Sequence, residues 1–248
     1  MDGYDETTYG DAFADVYDDW YDAISDIAAT TDTLLDLADG GAVLELGVGT
    51  GRLAVPLAVA GRDHGVTVTG LDASRAMLDR LAERDPERLI DRHLGSMAGP
   101  LPRGPFRLAF VAYNTLFNLA SPELQADCFR EVAAVLEPRG RFVVEAFVPA
   151  SSGERSSDVS VRSLAADRVV LSVSLQDPDL QTAEGQFVEF TEAGGVRLRP
   201  WSIRYSTTDE LDRMADASGF DVEQRWTSFD RTAFRDDAER HVTVFRAR

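Results

Sequence analysis

The sequence contains no lysine; all 25 of its cationic residues are arginine. Schiff-base chemistry on a lysine amine is therefore excluded. The accompanying Ala, Asp and Gly bias suggests a GC-rich coding sequence or a salt-adapted host. A single cysteine, Cys128, rules out an intrachain disulfide. It lies in the apolar-periodic run 123-ELQADCFREVAAVL-136, where a lone thiol reads as a small buried hydrophobe rather than a nucleophile. Positive charge is scarce as well. A formal net charge of −18 over 248 residues leaves no basic face for nucleic acid or an anionic membrane. No apolar stretch reaches membrane-spanning length. The opening residues, MDGYDETTYGD, lack the basic-then-apolar order of a signal peptide, and the expected location is the cytoplasm. Of three histidines, His64 is expected in a solvated loop, His93 in strand three as a satisfied core residue, and His241 at the start of the last strand. None has a metal-ligating partner three or four residues away, which argues against a zinc or iron site.

What is present is the grammar of an α/β protein. The 44% apolar content supports a real core. Phe13, Val16, Tyr17, Trp20, Ile24, Ile27 and Leu34 recur at helical spacing and predict one helix over 11–38. Strands are expected at 42–46, 66–72, 89–95, 106–113 and 141–148. Helices are expected at 51–61, with a break or kink at Pro56, at 74–85 with Ser74 as cap, and at 122–136 with Ser121 as cap and Pro122 in the first turn. The Pro/Gly-rich stretch 100–105 replaces a helix between the third and fourth strands. Alternation of this kind predicts a doubly wound parallel sheet. From 157 to 206 the pattern becomes three or four strands with turns at 165–167, 177–179 and 194–195. A helix from Thr207 or Thr208 to Gly219 and an antiparallel pair, 220–229 and 240–248, close the chain. The expected division is a helical cap (1–40), a ligand-binding α/β domain (41–156 and 207–248) and an antiparallel β insert (157–206).

The chemistry centres on 43-VLELGVGTGRLAVPLA-58, three glycines in five positions between a strand and a helix. A turn without Cβ atoms lets a ligand meet the backbone at the crevice where such sheets bind ligands. A dinucleotide motif, G-x-G-x-x-G, would need a third glycine at position 52, which is Arg52. The spacing is G-x-G-x-G, with Glu45 beside it. A carboxylate there disfavours a pyrophosphate and favours a cationic amine, so a nicotinamide oxidoreductase is disfavoured. Asp72 ends the second strand, 21 residues after Gly51, where it can hold a ribose or cap the helix beginning in 71-LDASRAM-77.

VLELGVGTGR followed by VTGLDAS resembles the class I S-adenosylmethionine-dependent methyltransferases, over residues 9–248. The run 112-AYNTLFNLASPELQADCFREVAAVLEPRGRFVVEAF-147 looks like the subgroup of glycine and aminosugar N-methyltransferases. The resemblance implies a Rossmann-like seven-stranded sheet with an antiparallel β lid inserted after the fifth strand. It implies S-adenosyl-L-methionine as cofactor, with Glu45, Gly47 and Gly49 facing its methionine part and Gly51 and Arg52 completing the turn. Asp72 would hold the ribose, and Ala73 and Met77 would flank the adenine. Where the family has G-D-M this chain has 95-GSM-97, so Ser96 would make a weaker contact and Met97 would pack on the ring. Tyr9, Tyr17 and Tyr21 resemble tyrosines that close over the cofactor; helix packing is the competing reading of Tyr17 and Tyr21.

Methyl transfer requires alignment, desolvation and, for some nucleophiles, a proton acceptor. Tyr113 and Asn114 end the fourth strand and can orient a nucleophile or cap the turn. Glu145, near the end of the fifth strand, can accept a proton or bind an amine, or be solvated or salt-bridged. Trp201, Arg204 and Tyr205 in 200-PWSIRY-205 can line an acceptor pocket or cover the sheet, and His241 lies where the family's substrate pocket can reach. The leading expectation is a methyltransferase acting on a small-molecule N or O nucleophile, in a possible homodimer. A cyclase-like enzyme on the same fold and a cofactor-binding regulatory subunit are the alternatives.

Overall fold

The N-terminal amphipathic stretch forms three helices, α1 (Thr8–Phe13), α2 (Tyr17–Tyr21) and α3 (Ile27–Ala38), not the single helix expected over 11–38. The computed structural model describes residues 1–21, 25–150, 153–235 and 237–248; Ile24, one of the periodic apolar positions, lies outside them. The chain turns after Phe13, whose carbonyl accepts from Val16 N–H at 2.9 Å. Asp26 adopts an extended conformation and its side chain accepts from Ala29 N–H, which starts α3 afresh. The apolar spacing was real, but the aromatic positions wrap over a neighbouring surface instead of continuing along one axis.

The run before the glycine turn becomes β1 (Ala42–Leu46), with four of its five residues buried. A strand without polar alternation must be covered on both faces, which suits the middle of a parallel sheet. α4 (Ala54–Gly61) follows it. Because α4 starts at Ala54, Pro56 falls in its first turn, where an N–H has no intrahelical partner, so the expected kink is absent. β2 (Thr67–Asp72), α5 (Arg75–Arg84) and β3 (Ile90–Leu94) come next, then an irregular crossover to β4 (Phe106–Val111). α6 (Pro122–Val135), capped by Ser121, leads to β5 (Leu136–Phe147).

The chain then leaves this sheet for four strands, β6 (Ser156–Leu164), β7 (Arg168–Asp177), β8 (Thr182–Thr191) and β9 (Val196–Arg204), paired in sequence as an antiparallel meander. α7 (Thr208–Ala217) returns through a capping box between Thr207 and Glu210. β10 (Phe220–Trp226) and β11 (Arg240–Ala247) complete a seven-stranded sheet of order β10-β11-β5-β4-β1-β2-β3. β1 to β5 are parallel, and β11 runs antiparallel to β5.

Two apolar layers sandwich the large sheet. Leu34 of α3, Leu57 of α4 and Leu81 of α5 pack with Phe110 and Val143 on one face. Phe129 of α6 and Leu211 of α7 pack with Phe142 and Phe245 on the other. A third cluster joins Phe13 and Tyr21 to Met77 and, from the insert, Phe187, and so places α1 and α2 over the carboxyl ends of the strands. His93 is not a core residue as expected. β3 is an edge strand, and His93 sits half-exposed there, 2.8 Å from the Asp91 carboxylate. No helix among the described residues is long and apolar enough to cross a membrane.

Candidate active site

The order of strands reverses between β1 and β4, and the glycine turn sits at the carboxyl end of β1 beside that reversal. Gly47, Gly49 and Gly51 have φ of +67°, +55° and +80°, a region that disfavours any Cβ. Their surroundings differ. A Cβ on Gly47 would lie 2.3 Å from Thr115 Cγ2, and one on Gly51 would lie 2.2 Å from Leu81 Cδ1. A Cβ on Gly49 would meet no atom within 4 Å. Gly47 and Gly51 therefore permit close packing, while Gly49 opens its backbone to the crevice.

Two carboxylates flank this bend. Asp72 Oδ2 accepts from Gly49 N–H and Oδ1 from Ser74 N–H, both at 2.8 Å. Capping of α5 is carried out by Ser74, whose Oγ accepts from Met77 N–H at 3.2 Å. Burial raises the Asp72 pKa above the ordinary carboxylate value, against the pull of the Ser74 and Gly49 amides. Glu45 is 4% exposed, and its Oε2 has no hydrogen-bond partner among the described residues. Burial pushes its pKa up to about 8, with Arg52 opposing and Asp72 adding. A buried, unpartnered carboxylate oxygen is costly. Glu45 lies two residues before the bend and is not itself among the residues that line the crevice; an unpaired carboxylate there suits a cationic amine. The residues thus fit an amino-acid-bearing nucleoside such as S-adenosylmethionine: Glu45 for the ammonium, Gly49 for close approach, Asp72 for the ribose.

The crevice is lined by Tyr9, Tyr17, Gly47, Gly49, Asp72, Ala73, Met77 and Met97 among the expected residues. Glu6, Leu71, Gly95, Thr115, Asn118 and Leu119 also line it. Of these, Thr115 and Asn118 follow the fourth strand in the stretch 113-YNTLFN-118, and their type gave no signal beyond that position. Ser96 lies instead on an adjoining cavity of about 490 Å3, which shares Glu6, Asn118 and Leu119 with the crevice. Gly51 does not line the crevice, and Arg52 turns away to donate to Ser25 Oγ at 2.5 Å. Tyr21 stands behind Tyr9 and Tyr17, its ring 4.9 Å from that of Tyr17 and 6.2 Å from that of Tyr113.

The cap is fastened over the bend by side chains from α1 and α2. Thr50 donates to Asp18 and Ser74 donates to Asp11, each at 2.6 Å. From the insert, the buried Arg199 donates to Ala12 O and Asp15 on the cap side and to Glu189 on its own sheet. Arg162 lies 4.6 Å over the Trp20 ring and 4.7 Å over Phe187. The β-bulge between Val161 and Ser163 directs it there. Neither arginine stood out in the sequence, because each acquires meaning only from a partner more than 100 residues away. The crevice encloses about 70 Å3, well below the ~300–1,000 Å3 of small-molecule sites, so a nucleoside ligand requires the cap to yield.

At the end of β4, Tyr113 and Asn114 both take positive φ, 49° and 64°. Two such non-glycine residues in sequence are strained, at about 1–3 kcal/mol each. The fifth strand holds them: Glu145 Oε2 accepts from Tyr113 N–H at 2.9 Å, Glu145 O from Asn114 N–H at 3.0 Å, and Asn114 Oδ1 from Phe147 N–H at 2.7 Å. Glu145 is not exposed to solvent and forms no salt bridge among the described residues. It is buried, its pKa is raised by that burial, and it borders a separate cavity of about 390 Å3 with Ser25, Thr30 and Arg240.

The four expected substrate residues are dispersed. Trp201 is half-buried, and its indole N–H has no partner among the described residues. Arg204 is buried among Gln125, Gln181 and Glu210 and borders the 490 Å3 cavity. Tyr205 packs into the core beside Phe147. His241 is 1% exposed, with Nδ1 2.8 Å from Thr243 Oγ1. Burial lowers its pKa to about 3. Tyr205 and His241 do not line the crevice.

The family described as "Methyltransferase domain" matches residues 43–140. The CcbJ methyltransferase from Streptomyces caelestis is 39% identical, with 98% of this chain and 99% of that chain covered and a TM-score of 0.87. Cypemycin N-terminal methyltransferase, from a Streptomyces species, is 27% identical over 188 residues, 74% of each chain. An amino pentose methyltransferase from Micromonospora echinaspora, solved with its S-adenosylmethionine bound, shares the fold at 18% identity, with both chains fully covered and a TM-score of 0.71. A glycine bend flanked by two carboxylates at the switch point of the sheet, and a relative 39% identical over 98% of this chain, agree: the protein belongs to the class I S-adenosylmethionine-dependent methyltransferases.

Proposed function

We propose that the protein methylates an amine of a small molecule. S-adenosylmethionine, when bound, supplies an electrophilic methyl on a sulfonium. The chain's own residues then have to hold the donor, align the acceptor and exclude water. In this reading Glu45 takes the ammonium and Asp72 the ribose. Ala73, Met77 and Met97 take the adenine, and Tyr9 and Tyr17 close the crevice. Tyr113 is the catalytic residue facing the acceptor, and Asn114 and Glu145 are positioning residues that fix its backbone. Trp201 offers the acceptor a donor from the insert. The acceptor occupies the space between cap and insert, and two copies of the chain make the working enzyme.

The observation that carries the amine reading is the state of the phenols. Burial raises the pKa of Tyr9 and Tyr17, which line the crevice, and of Tyr113, which stands beside Tyr21. They stay protonated at neutral pH, able to hydrogen-bond but not to act as bases. An alcohol needs a base to become a nucleophile; an amine attacks neutral and releases its proton afterwards. The net charge of −18 also draws cationic amines toward the protein. The relatives named for N-terminal and amino pentose methylation point the same way.

The test uses methyl-labelled S-adenosylmethionine and small acceptors paired so that members differ only in an amine against a hydroxyl. Label is expected on the amine members, and on aminosugars or amino-terminal peptides among them. Label confined to the hydroxyl members would overturn the amine reading.

A further inference from the structure

The crevice and the cavity of about 490 Å3 beside it are divided by a single thickness of chain after β3. Gly95 and Met97 line the crevice, while Ser96, Ala98 and Gly99 line the cavity. Successive residues thus face opposite ways along this stretch, and Ser96 Oγ accepts from Ala98 N–H at 3.2 Å, which holds its turn. A gap interrupts the partition. Glu6, Asn118 and Leu119 border both spaces, so the two communicate between the N-terminal segment and the stretch after β4. The far side of the cavity is built by Leu124 at the start of α6 and by Thr182, Ser202 and Ile203 of the insert. Its charge disfavours an anion. The guanidinium of Arg204 is taken up by Gln181, Ser206 and Glu210, and Asp5 and Glu6 add negative charge to the lining. Ala98, Leu119, Leu124 and Ile203 supply the apolar surface that suits an uncharged group.

We infer that this cavity receives groups attached to the far edge of the cofactor's adenine, so that the protein binds cofactors enlarged at the exocyclic N6. The inference rests on the proposed placement of the ribose at Asp72 and of the adenine among Ala73, Met77 and Met97. A purine is joined to its ribose through N9, and the edge opposite that bond carries C2 and N6. With the ribose at Asp72, the base runs from Ala73 toward Met97, and its opposite edge meets the gap framed by Glu6, Asn118 and Leu119. A single substituent on N6 passes through that gap, and the nitrogen keeps one N–H. Ser96 offers a short side chain there, tied back to Ala98, and so leaves the passage open. An apolar space of about 150 Å3 holds a benzene ring, so the cavity of about 490 Å3 has room for a benzyl group. A substituent on C8 leaves the base on the ribose side instead. There the cap is packed tightly: a Cβ on Gly10 would lie 2.3 Å from Ser74 Cβ.

Titration calorimetry of the full chain with S-adenosylhomocysteine, its N6-benzyl form and its 8-benzylamino form tests the inference. The N6-benzyl form is expected to bind within about threefold of the parent or more tightly, and the 8-benzylamino form about 30-fold more weakly or worse. Ala98→Trp and Ser202→Trp, made separately, fill the cavity from facing sides. Each is expected to weaken the N6-benzyl form by about 30-fold or more and to leave the parent within about threefold. Parent binding also shows that each variant is folded, and the two benzyl isomers on the wild type decide the matter if neither variant folds. Equal binding of the two isomers would overturn the inference, as would an N6-benzyl affinity that neither tryptophan moves in a folded variant. Exclusion of the N6-benzyl form from a wild type that binds the parent would overturn it as well. Asp72→Ala then separates the two readings: if it weakens the parent, the ribose placement stands and this inference alone falls; if it does not, both fall.

Discussion

Asp72 Oδ2 accepts the Gly49 N–H at 2.8 Å, so the carboxylate that ends β2 also holds the glycine bend that follows β1. One side chain thus shapes the bend and, on the proposed reading, offers its carboxylate to the ribose. Asp72→Ala removes both roles. Hydrogen bonds to charged groups contribute about 1.5–3 kcal/mol each. If Asp72 makes two hydrogen bonds to the ribose, as proposed, the variant should bind S-adenosylhomocysteine more weakly by on the order of 100-fold or more, read by titration calorimetry. Asp72→Asn keeps an acceptor for Gly49 and should lose less. Unchanged affinity in the alanine variant would separate Asp72 from the cofactor.

Glu45 predicts a pH dependence. Its pKa is raised to about 8 by burial, so at pH 6 to 7 the carboxyl carries a proton that must leave before it can pair with an ammonium. Affinity should rise with pH through that range. It should level off as the ligand's own amine, with a pKa of about 7.7–8.0, deprotonates. Calorimetry at pH 6.5 in two buffers of unequal ionisation heat should show proton release in the wild type and none in Glu45→Gln. Buffer-independent heats in the wild type would contradict this.

The glycines of the bend should separate into two phenotypes. Gly49→Ala places a methyl in open space at φ +55°, at about 1–2 kcal/mol of backbone strain. It should lower Tm by roughly 2–8 °C while weakening cofactor binding strongly. Gly51→Ala adds a contact 2.2 Å from Leu81 Cδ1 to the same strain. Its loss of Tm should be the larger of the two and its effect on affinity the smaller. Thermal melts beside binding isotherms would expose the reverse order, if it held.

Arg199 predicts a loosened cap. Its guanidinium is 2% exposed and joins Asp15 to Glu189. Removing one partner of a buried ion network destabilises by about 3–5 kcal/mol. Arg199→Met should speed proteolysis within α1 and α2 and raise the KM for the cofactor more than it lowers kcat. Arg199→Lys should rescue poorly, since an ammonium cannot serve both carboxylates in the same fork. A cap as protease-resistant as the wild type would count against the link.

His241 should govern part of the acid side of the stability curve. Its pKa falls to about 3 through burial, with the Arg225 charge adding. A base whose folded value is depressed contributes fully above the unfolded value of about 6.5, and the contribution is lost as pH falls toward 3. Glu45 acts oppositely: its raised value makes stability decline between its unfolded value and about 8. Urea denaturation of His241→Asn should therefore show a shallower loss below pH 6 than the wild type, and an equal slope would remove His241 from the account.

The parallel core was legible because β1 and β4 are near-continuous apolar runs and its helices announce themselves with Ser74, Ser121 and Thr207 as caps. The insert turns were legible from Asp, Pro and Gly. The break of the N-terminal stretch was not, because Asp26 looks like any other acidic residue of a solvated helix face until its capping bond to Ala29 is seen. Pro56 misled for a related reason: helix boundaries are uncertain by a residue or two, and that shift decides whether proline breaks a helix or begins one. At the site, Gly47, Gly49, Asp72, Ala73 and Met77 line one crevice, where chain spacing puts them, while Glu45, Gly51 and Arg52 do not line it. Tyr205 was placed by strand alternation, which tells which side of a sheet a residue faces but not what covers that side, and His241 by the resemblance to the family's substrate pocket alone. The left-handed pair Tyr113 and Asn114 gives no sequence signal, because tyrosine seldom adopts that conformation.

That pair has an evolutionary consequence. The turn bearing it is fastened by Glu145 and Phe147, residues of the central sheet, and receives no hydrogen bond from the insert among the described residues. On the proposed reading, substitutions in β6 to β9 that spare the cap contacts can thus remodel acceptor scope while the Tyr113–Asn114 turn is inherited intact. Transplanting the 156–204 segment from a relative with another substrate, with Arg162, Phe187, Glu189 and Arg199 kept in place to hold the cap, should change what is methylated before it changes whether methylation occurs.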